Sequence, residues 1–520
     1  MKTFLKTTML LFITCLSLFA CSKDNDTKPS PAQFSIDQST VNFGEVEIPE
    51  LKEIKLTVTN SGDEDLILKD YTFSGSNTAE FTVRASETEE TIQAGKTYEF
   101  SVVFKPMEEG NKTAVLTITS NMGEHKVNIS GTASLGANAI VNIPDANFKA
   151  ALLAHGITIT GEGINKIDSN DDGEIQVGEA QAYVGTINCY DKNISDLTGI
   201  EVFINLEVLS VGKNQLTNLD VSDNVALEYL VCDNNQLKSL NVSSNVNLKV
   251  LSVQNNELTD LDVSQNTALE NLYLANNQLT NLDTSNNTAL RTLIIATNLL
   301  NSIDVSNNTA LHTLFVHSNK LTGLNVTHNT ALKYLTCTNN EIAFLDVSKN
   351  IIMEELSCEN NNLANLDLSQ NTALLEFRCN NNQLSSLDVS NNTSLELLSC
   401  FNNQIPNLDV SQNINLKTLH CGINKLSSLD VSQNTDLRHL YCNENQLTNL
   451  NVSGNPALEF LYCFQNQLTA LNLANGNNTK LSTMWATNNP NLACIQIDAD
   501  FTPPSNWEKA ALTSYNTNCP

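Results

Sequence analysis

The chain has 520 residues, enough for several domains. Its formal net charge of −29 argues against a nucleic-acid partner, whose phosphates it would repel. With seven His and two Trp, the raw material for catalysis is thin, and a soluble protein exposed outside a cell fits this balance better than an enzyme.

The first twenty residues read as a secretion signal, with Lys2 and Lys6 ahead of an apolar core from Met9 to Phe19 that is too short for an ordinary membrane span. Leu18-Phe19-Ala20-Cys21 resembles a bacterial lipoprotein box, which implies lipidation of Cys21 as the mature N-terminus; the alternative is ordinary cleavage that leaves Cys21 free. Residues 21–32 follow as a flexible tether with Pro29 and Pro31. Its acidic start, Ser22 to Asp26, resembles the short signals that carry some Gram-negative lipoproteins to the outer face of the outer membrane, so the implied location is outer-membrane, lipid-anchored and surface-exposed.

Residues 33–133 alternate as strands do. Ile54, Leu56 and Val58 share a face, as do Tyr98, Phe100, Val102 and Phe104, and turn signals such as Asn60-Ser61-Gly62-Asp63 separate the runs. About seven strands in about 100 residues predict an immunoglobulin-like β-sandwich. The phrases VNFGEVEI, LTVTNSGDEDLIL and VVFKPMEEG resemble Hydin-type immunoglobulin-like domains, which implies a spacer.

Residues 138–183 predict a helical cap. Pro144 opens a helix over Asp145 to Leu153. The stretch Asp168 to Glu179 then fits an EF-hand calcium loop: Asp168, Asn170 and Asp172 at positions 1, 3 and 5, Gly173 at the sharp turn, Glu174 offering its carbonyl, Ile175 as the buried anchor and Glu179 as the bidentate ligand. A single loop predicts a structural Ca²⁺ brace rather than a sensor, which would pair two hands.

From 184 to 492 the chain repeats. A degenerate first coil precedes thirteen consecutive 21-residue units, the first starting at Leu206 and the last at Leu458. The template is L-x-x-L-x-(C/V/L)-x-x-N-x-L-x-x-L-D-V-S-x-N-x-x, and its ninth-slot Asn never fails, from Asn214 to Asn466. This pattern resembles leucine-rich repeats, and the helical, EF-hand-like cap ahead of it is similar to that of internalin-like proteins. The fold class expected is therefore mostly β: an N-terminal immunoglobulin-like β-sandwich, then a leucine-rich-repeat solenoid with a helical EF-hand-like cap, closed by a C-terminal cap over 493–520. Such a coil cannot bury its apolar edge alone and must stack on its neighbours.

Slot by slot, L-x-x-L-x-C should be the strand of a parallel sheet. The ninth-slot Asn should point in and bond the backbone of neighbouring coils. A second Asn, from Asn224 to Asn455, predicts a second ladder, and Leu-Asp-Val-Ser between the bends predicts a short outer strand. Nine Cys, among them Cys189, Cys337 and Cys463, share the sixth slot with Val211 and Leu274, so they read as small buried hydrophobes. Parallel side chains about 4.8 Å apart are poorly placed for disulfides. Cys494 and Cys519, beyond the repeats, look like a bridging pair. The Asp row that includes Asp262 and Asp304 either accepts hydrogen bonds or binds bridging cations; the missing Gly-rich nonapeptide of calcium-binding β-rolls favours hydrogen bonds.

Ligand-binding residues must lie in the variable third, fifth and seventh slots. There the C-terminal coils carry Phe401, His420, His439, Tyr441, Phe460, Tyr462, Phe464 and Trp485, with Arg378 beside Glu376 upstream. Parity turns these rings out of the core, so Tyr462→Ala should hardly change stability. Either the rings bind a ligand or they pack on one another to cover the sheet near the cap; binding is the preferred reading. The function expected is a cell-surface binding or adhesion protein with a protein partner on the sheet face, a carbohydrate being the alternative. Its membrane contact is the lipid anchor alone, and it is not an enzyme: His420 and His439 have no nucleophile or paired acid beside them.

Overall fold

A computed structural model describes residues 28–87, 89–155 and 166–519. The secretion signal, Cys21 and most of the tether lie outside these residues. The chain divides into two compact units, one ending at Gly136 and one starting at Ala137.

The first unit is a sandwich of nine strands, two more than the alternation suggested: β1 (Phe34–Ile36), β2 (Thr40–Ile48), β3 (Lys52–Asn60), β4 (Leu66–Ser74), β5 (Phe81–Arg84), β6 (Glu90–Ile92), β7 (Thr97–Phe104), β8 (Gly110–Ser120) and β9 (Gly123–Leu135). One sheet has the order β1-β3-β7-β5 and the other β2-β9-β8-β4-β6. The alternating residues meet between the sheets, where Phe43 and Phe81 pack on Phe104 with ring centroids 5.5 and 4.8 Å away. The extra strands, β1 and β6, have three residues each, too short to register as alternation. A buried ion pair, Lys112 Nζ to Glu80 Oε1 at 3.0 Å, is completed by the Met107 N–H on the second Glu80 oxygen.

The second unit opens with α1 (Ala146–Leu153) and α2 (Val177–Ala182). Asp145 caps α1 by accepting the Asn147 and Phe148 N–H groups, and its other oxygen accepts from Ser195 of the first coil, which ties cap to repeats. The coils then stack into one parallel sheet of fifteen strands, from Gly185–Asn188 to Thr483–Trp485, each strand supplied by the start of one repeat. After a shift at Gly185 in the first coil, register is unbroken from one regular coil to the next: Leu398 opposes Leu419, and Leu419 opposes Leu440. All nine repeat cysteines are buried and unbridged. Burial pushes the Cys337 and Cys400 thiols up to about 12. Cys494 and Cys519 are joined by a disulfide in the C-terminal cap.

Both bends are built on Asn. Asn235 shows the first: its Oδ1 accepts the Leu216 N–H of the preceding coil at 3.0 Å, while its Nδ2 donates to Val211 O at 3.0 Å and to Cys232 O at 3.1 Å. The residue just before it is left-handed, with φ of 51–57° at all fourteen eighth-slot positions from Lys213 to Asn488, and Asn holds eight of them because its short polar side chain tolerates that region. The second ladder is less complete. Asn434 Nδ2 donates to Val410 O and Asn413 O, but its buried Oδ1 accepts nothing. The same holds at eleven of these positions; Asn308 is the exception, because Thr284 replaces the usual Val and donates to its Oδ1 at 2.8 Å.

The expected outer strand forms only in places. Leu324–Asn325 pairs with Leu345–Asp346, and near the C-terminus Asn449–Asn451, Ala470–Asn472, Cys494–Gln496 and Ser514–Asn516 make a small parallel sheet. Elsewhere the Asp of the segment accepts its own Ser N–H two residues on, as Asp262 does from Ser264 at 2.8 Å. The same turn is present where the outer strand forms, at Asp346 with Ser348 and at Asn325 with Thr327, so it is compatible with pairing. It also answers the question of the Asp row: the Ser264 and Ser306 N–H groups and hydroxyls hold Asp262 and Asp304 below the usual carboxylate range.

Two stability predictions follow from the bends. Ile423 is β-branched yet sits at φ 51°, so Ile423→Asn should raise stability by about 1 kcal/mol in urea unfolding. Val410→Thr should be neutral within about 0.5 kcal/mol, because its hydroxyl reaches the orphaned Asn434 oxygen as Thr284 reaches Asn308; Val316→Thr, which has no such acceptor, should cost about 1–3 kcal/mol. Equal losses in the two Thr variants would show that the oxygen row does not want a donor.

Candidate binding face and cap loop

Each strand of the long sheet is three to five residues, with an apolar residue, in most strands Leu, in the core and its flanking residues on the outer side of the sheet. The flanking positions stack in straight rows because the register does not slip between the regular coils. Along the fifth-slot row, His420, Tyr441, Tyr462 and Trp485 follow one another, with Phe401 joining from the seventh slot of the preceding coil. Ring centroids are 4.7 Å from Phe401 to His420, 5.2 Å to Tyr441, 5.0 Å to Tyr462 and 4.4 Å to Trp485. The last pair is parallel within 6°. His439 and Phe460 form a second contact beside them at 5.1 Å, and Phe464 lies 6.4 Å from both Tyr462 and Trp485.

The structure brings all eight rings into one patch, and it corrects how far they reach into solvent. Every one is half-buried, not freely exposed. Coils spaced near 5 Å force large side chains in one row to cover each other, so part of each ring is hidden by its neighbours. Burial accordingly lowers the His420 imidazole below its ordinary value and raises the Tyr441 phenol, the latter helped by Tyr462. The two readings of the rings, ligand surface and mutual cover, therefore describe the same residues.

Upstream, Arg378 pairs with Glu376 at 2.6 Å. Sequence reading passed over Tyr273, Ile294 and Phe315, which occupy the fifth slot in three consecutive coils and are also half-buried on this face. The slot parity that places the C-terminal rings on this face places these there too.

In the cap, the turn of the EF-hand-like loop is made by Asp171 at φ 63° and Gly173 at φ 82°. Ile175 is fully buried and its carbonyl accepts the Val141 N–H at 2.8 Å. Asp168 is 5% exposed; one oxygen accepts the Gly173 N–H and the other has no partner among the described residues. Asn170 and Asp172 are bonded to each other and to Gln176. Glu174 pairs with Lys149. Glu179 accepts from the Ser169 and Asn170 N–H groups through one oxygen and from Gln176 N–H through the other. Among the described residues, no three His, Cys, Asp or Glu side chains converge on a metal-sized centre. The donors are all oxygen, which suits Ca²⁺, and the orphaned Asp168 oxygen fits a cation; the departure is Glu179, which would have to exchange its backbone bonds for the ion.

The ring packing replaces the expectation for Tyr462. Tyr462→Ala should cost about 1 kcal/mol, the worth of its aromatic contacts, while Leu461→Ala in the fully buried slot should cost about 2–5 kcal/mol. Paired urea melts read the difference. A Tyr462 loss as large as that of Leu461 would place the ring in the core.

Residues 28–127 match the family described as ASH: Abnormal spindle-like microcephaly-assoc'd, ASPM-SPD-2-Hydin. No curated protein matches the chain. Among solved structures, the functional domain of InlJ from Listeria monocytogenes, which includes a cysteine ladder, is 34% identical with a TM-score of 0.63, the match covering 70% of this chain and 78% of that one. An internalin (inlF) from the same species is 23% identical with a TM-score of 0.53, covering 60% and 94%, a likeness that speaks to fold alone. At the identity and coverage of the InlJ match, the chain belongs to the internalin-like leucine-rich-repeat proteins, with a Hydin-type immunoglobulin-like domain ahead of its repeats.

Proposed function

We propose that the protein is a cell-surface binding module, not an enzyme, that recognises a protein partner through the sheet face of its repeats. The observation that carries this reading is the row of half-buried rings from Phe401 to Trp485, held at near-contact spacing on a rigid sheet. Side chains pre-ordered by mutual packing lose little entropy on binding, and aromatic residues dominate binding energy at interfaces. A carbohydrate partner is the second reading, because a row of aromatic rings can stack on the apolar faces of sugars. The immunoglobulin-like domain serves as a spacer, and Cys21 carries the lipid that anchors the protein to the outer membrane facing outward.

The test is a protein and glycan array probed with the full chain and with Tyr441→Ala. A protein partner whose binding falls by about 2 kcal/mol or more in the variant supports the reading. Glycan-only hits with the same dependence would move the assignment to carbohydrate. Hits indifferent to Tyr441 would remove this face as the site.

The cap loop is proposed to hold one structural Ca²⁺ through Asp168, Asn170, Asp172, the Glu174 carbonyl and Glu179. Calcium would supply the missing partner of Asp168 and brace the cap against the first coil. At about 100-fold over Kd, binding to the folded state alone adds ~2.7 kcal/mol. Millimolar Ca²⁺ should therefore raise the melting temperature of the wild type and not that of Asp168→Asn. Glu179→Gln is less decisive alone, because it also loosens the start of α2. No calcium response in the wild type would sink the site.

A further inference from the structure

The third, fifth and seventh slots of the regular coils contain no Lys, and Arg378 is the single Arg among them. Three carboxylates share its coil and the one before: Glu355 and Glu376 are opposed on adjacent strands, and Glu359 lies one coil back from Asn380 in the seventh-slot row. Arg378 is committed to Glu376 at 2.6 Å. Glu359 is held instead by a neutral donor, Asn380 Nδ2, at 3.2 Å. Burial outweighs the pull of Arg378 and keeps the Glu359 carboxyl above the usual range, which marks a half-buried anion short of counter-charge.

This acidic ground runs without a break into the rings. Asn380 Oδ1 accepts the Phe401 N–H at 2.9 Å and the Ser399 hydroxyl at 2.7 Å, so the amide that holds Glu359 also holds the strand that carries the first ring. From the strand of Glu355 to that of Trp485 the sheet advances six strands. At about 4.8 Å per step that is about 29 Å, the length of roughly nine residues of extended peptide.

We propose that this face binds an extended polypeptide segment of about nine residues whose basic side chains sit over Glu355, Glu359 and Glu376 and whose apolar side chains lie along the rings from Phe401 to Trp485. The inference rests on the sheet-face reading and adds the chemistry of the partner. Charge complementarity selects a cation at one end; the adjacent rings favour Arg over Lys, because a guanidinium stacks on an aromatic face as well as pairing with a carboxylate.

The probe is a fluorescent peptide, Arg-Ser-Arg-Ser-Leu-Ser-Leu-Ser-Leu, titrated against the full chain by anisotropy. Its controls are the same peptide with Glu for Arg, and the neutral sugar chitohexaose. Three double or single variants accompany the wild type: Glu359→Gln with Glu376→Gln, Tyr462→Ala, and Glu257→Gln with Glu341→Gln, which removes the same charge from exposed tenth-slot positions off the sheet face. Melting curves confirm that each is folded. The Arg peptide should bind, and the Glu peptide should not. Binding should fall tenfold or more in the first variant, fall also in Tyr462→Ala, and hold within about twofold in the charge-matched control. Equal losses in both charge variants would reduce the binding to diffuse attraction by an acidic chain and overturn the proposal. No binding of the Arg peptide, with chitohexaose bound in a Tyr462-dependent way, would overturn the cationic partner while keeping the face. Binding of no probe, or binding indifferent to every variant, would overturn the proposal; if the array partner is also indifferent to Tyr441, the sheet-face reading falls with it.

Discussion

A coil of 21 residues cannot satisfy its own backbone at its bends. The chain reverses there with carbonyls and N–H groups turned inward, where water does not reach, and a buried unpaired polar group costs about 1–3 kcal/mol. The ninth-slot Asn resolves this by donating within its own coil and across to the preceding one, and accepting from it. Because two of these three bonds cross between coils, the same side chain that closes one bend fixes the position of the next. Stacking and turning are thus one interaction, and the unbroken strand register of the sheet follows from it.

That constraint sets what the face can do. The register fixes the spacing between like slots, so a large side chain repeated in one slot must touch its neighbours. The rings at His420, Tyr441, Tyr462 and Trp485 are ordered by contact before any ligand arrives, which is why part of each is hidden. The same geometry penalises like charges in a row. The second slot meets this with ion pairs between coils, such as Lys249 with Glu228 and Lys417 with Glu396. The carboxylates of Glu355, Glu359 and Glu376 lack that relief, having one Arg between them. A half-buried charge without a counter-charge on the sheet face is where a partner's charge contributes most.

Much of this was legible in the sequence because the repeat states the same rule thirteen times. The core slots, the two Asn ladders and the burial of nine cysteines needed only the period and the parity of a strand. What was not legible depends on distances rather than on pattern. The left-handed residue of the eighth slot was invisible as a requirement because Lys213, Thr297 and Ile423 also occupy it, although Asn predominates. The outer strand forms in fewer coils than the alternation of Leu-Asp-Val-Ser suggests, and that alternation is the same in coils with and without it. The rings were placed on the correct side of the sheet but judged too exposed, because parity says which way a side chain points and not how much its neighbour covers.

The cysteines show how the same packing also protects the chain. Their slot lies between the fifth and seventh, directly beneath the face, and seven consecutive coils from Cys337 to Cys463 fill it with thiols. The reactive species is the thiolate, and burial has lifted these groups to where almost none forms at neutral pH. Neighbouring thiols are held parallel by the register, not converging as a bridge requires. The fold can therefore carry free Cys as a small, soft core residue under bulky rings. The chain places its one disulfide among the described residues, between Cys494 and Cys519, in the cap, where no further coil stacks to hold the end closed.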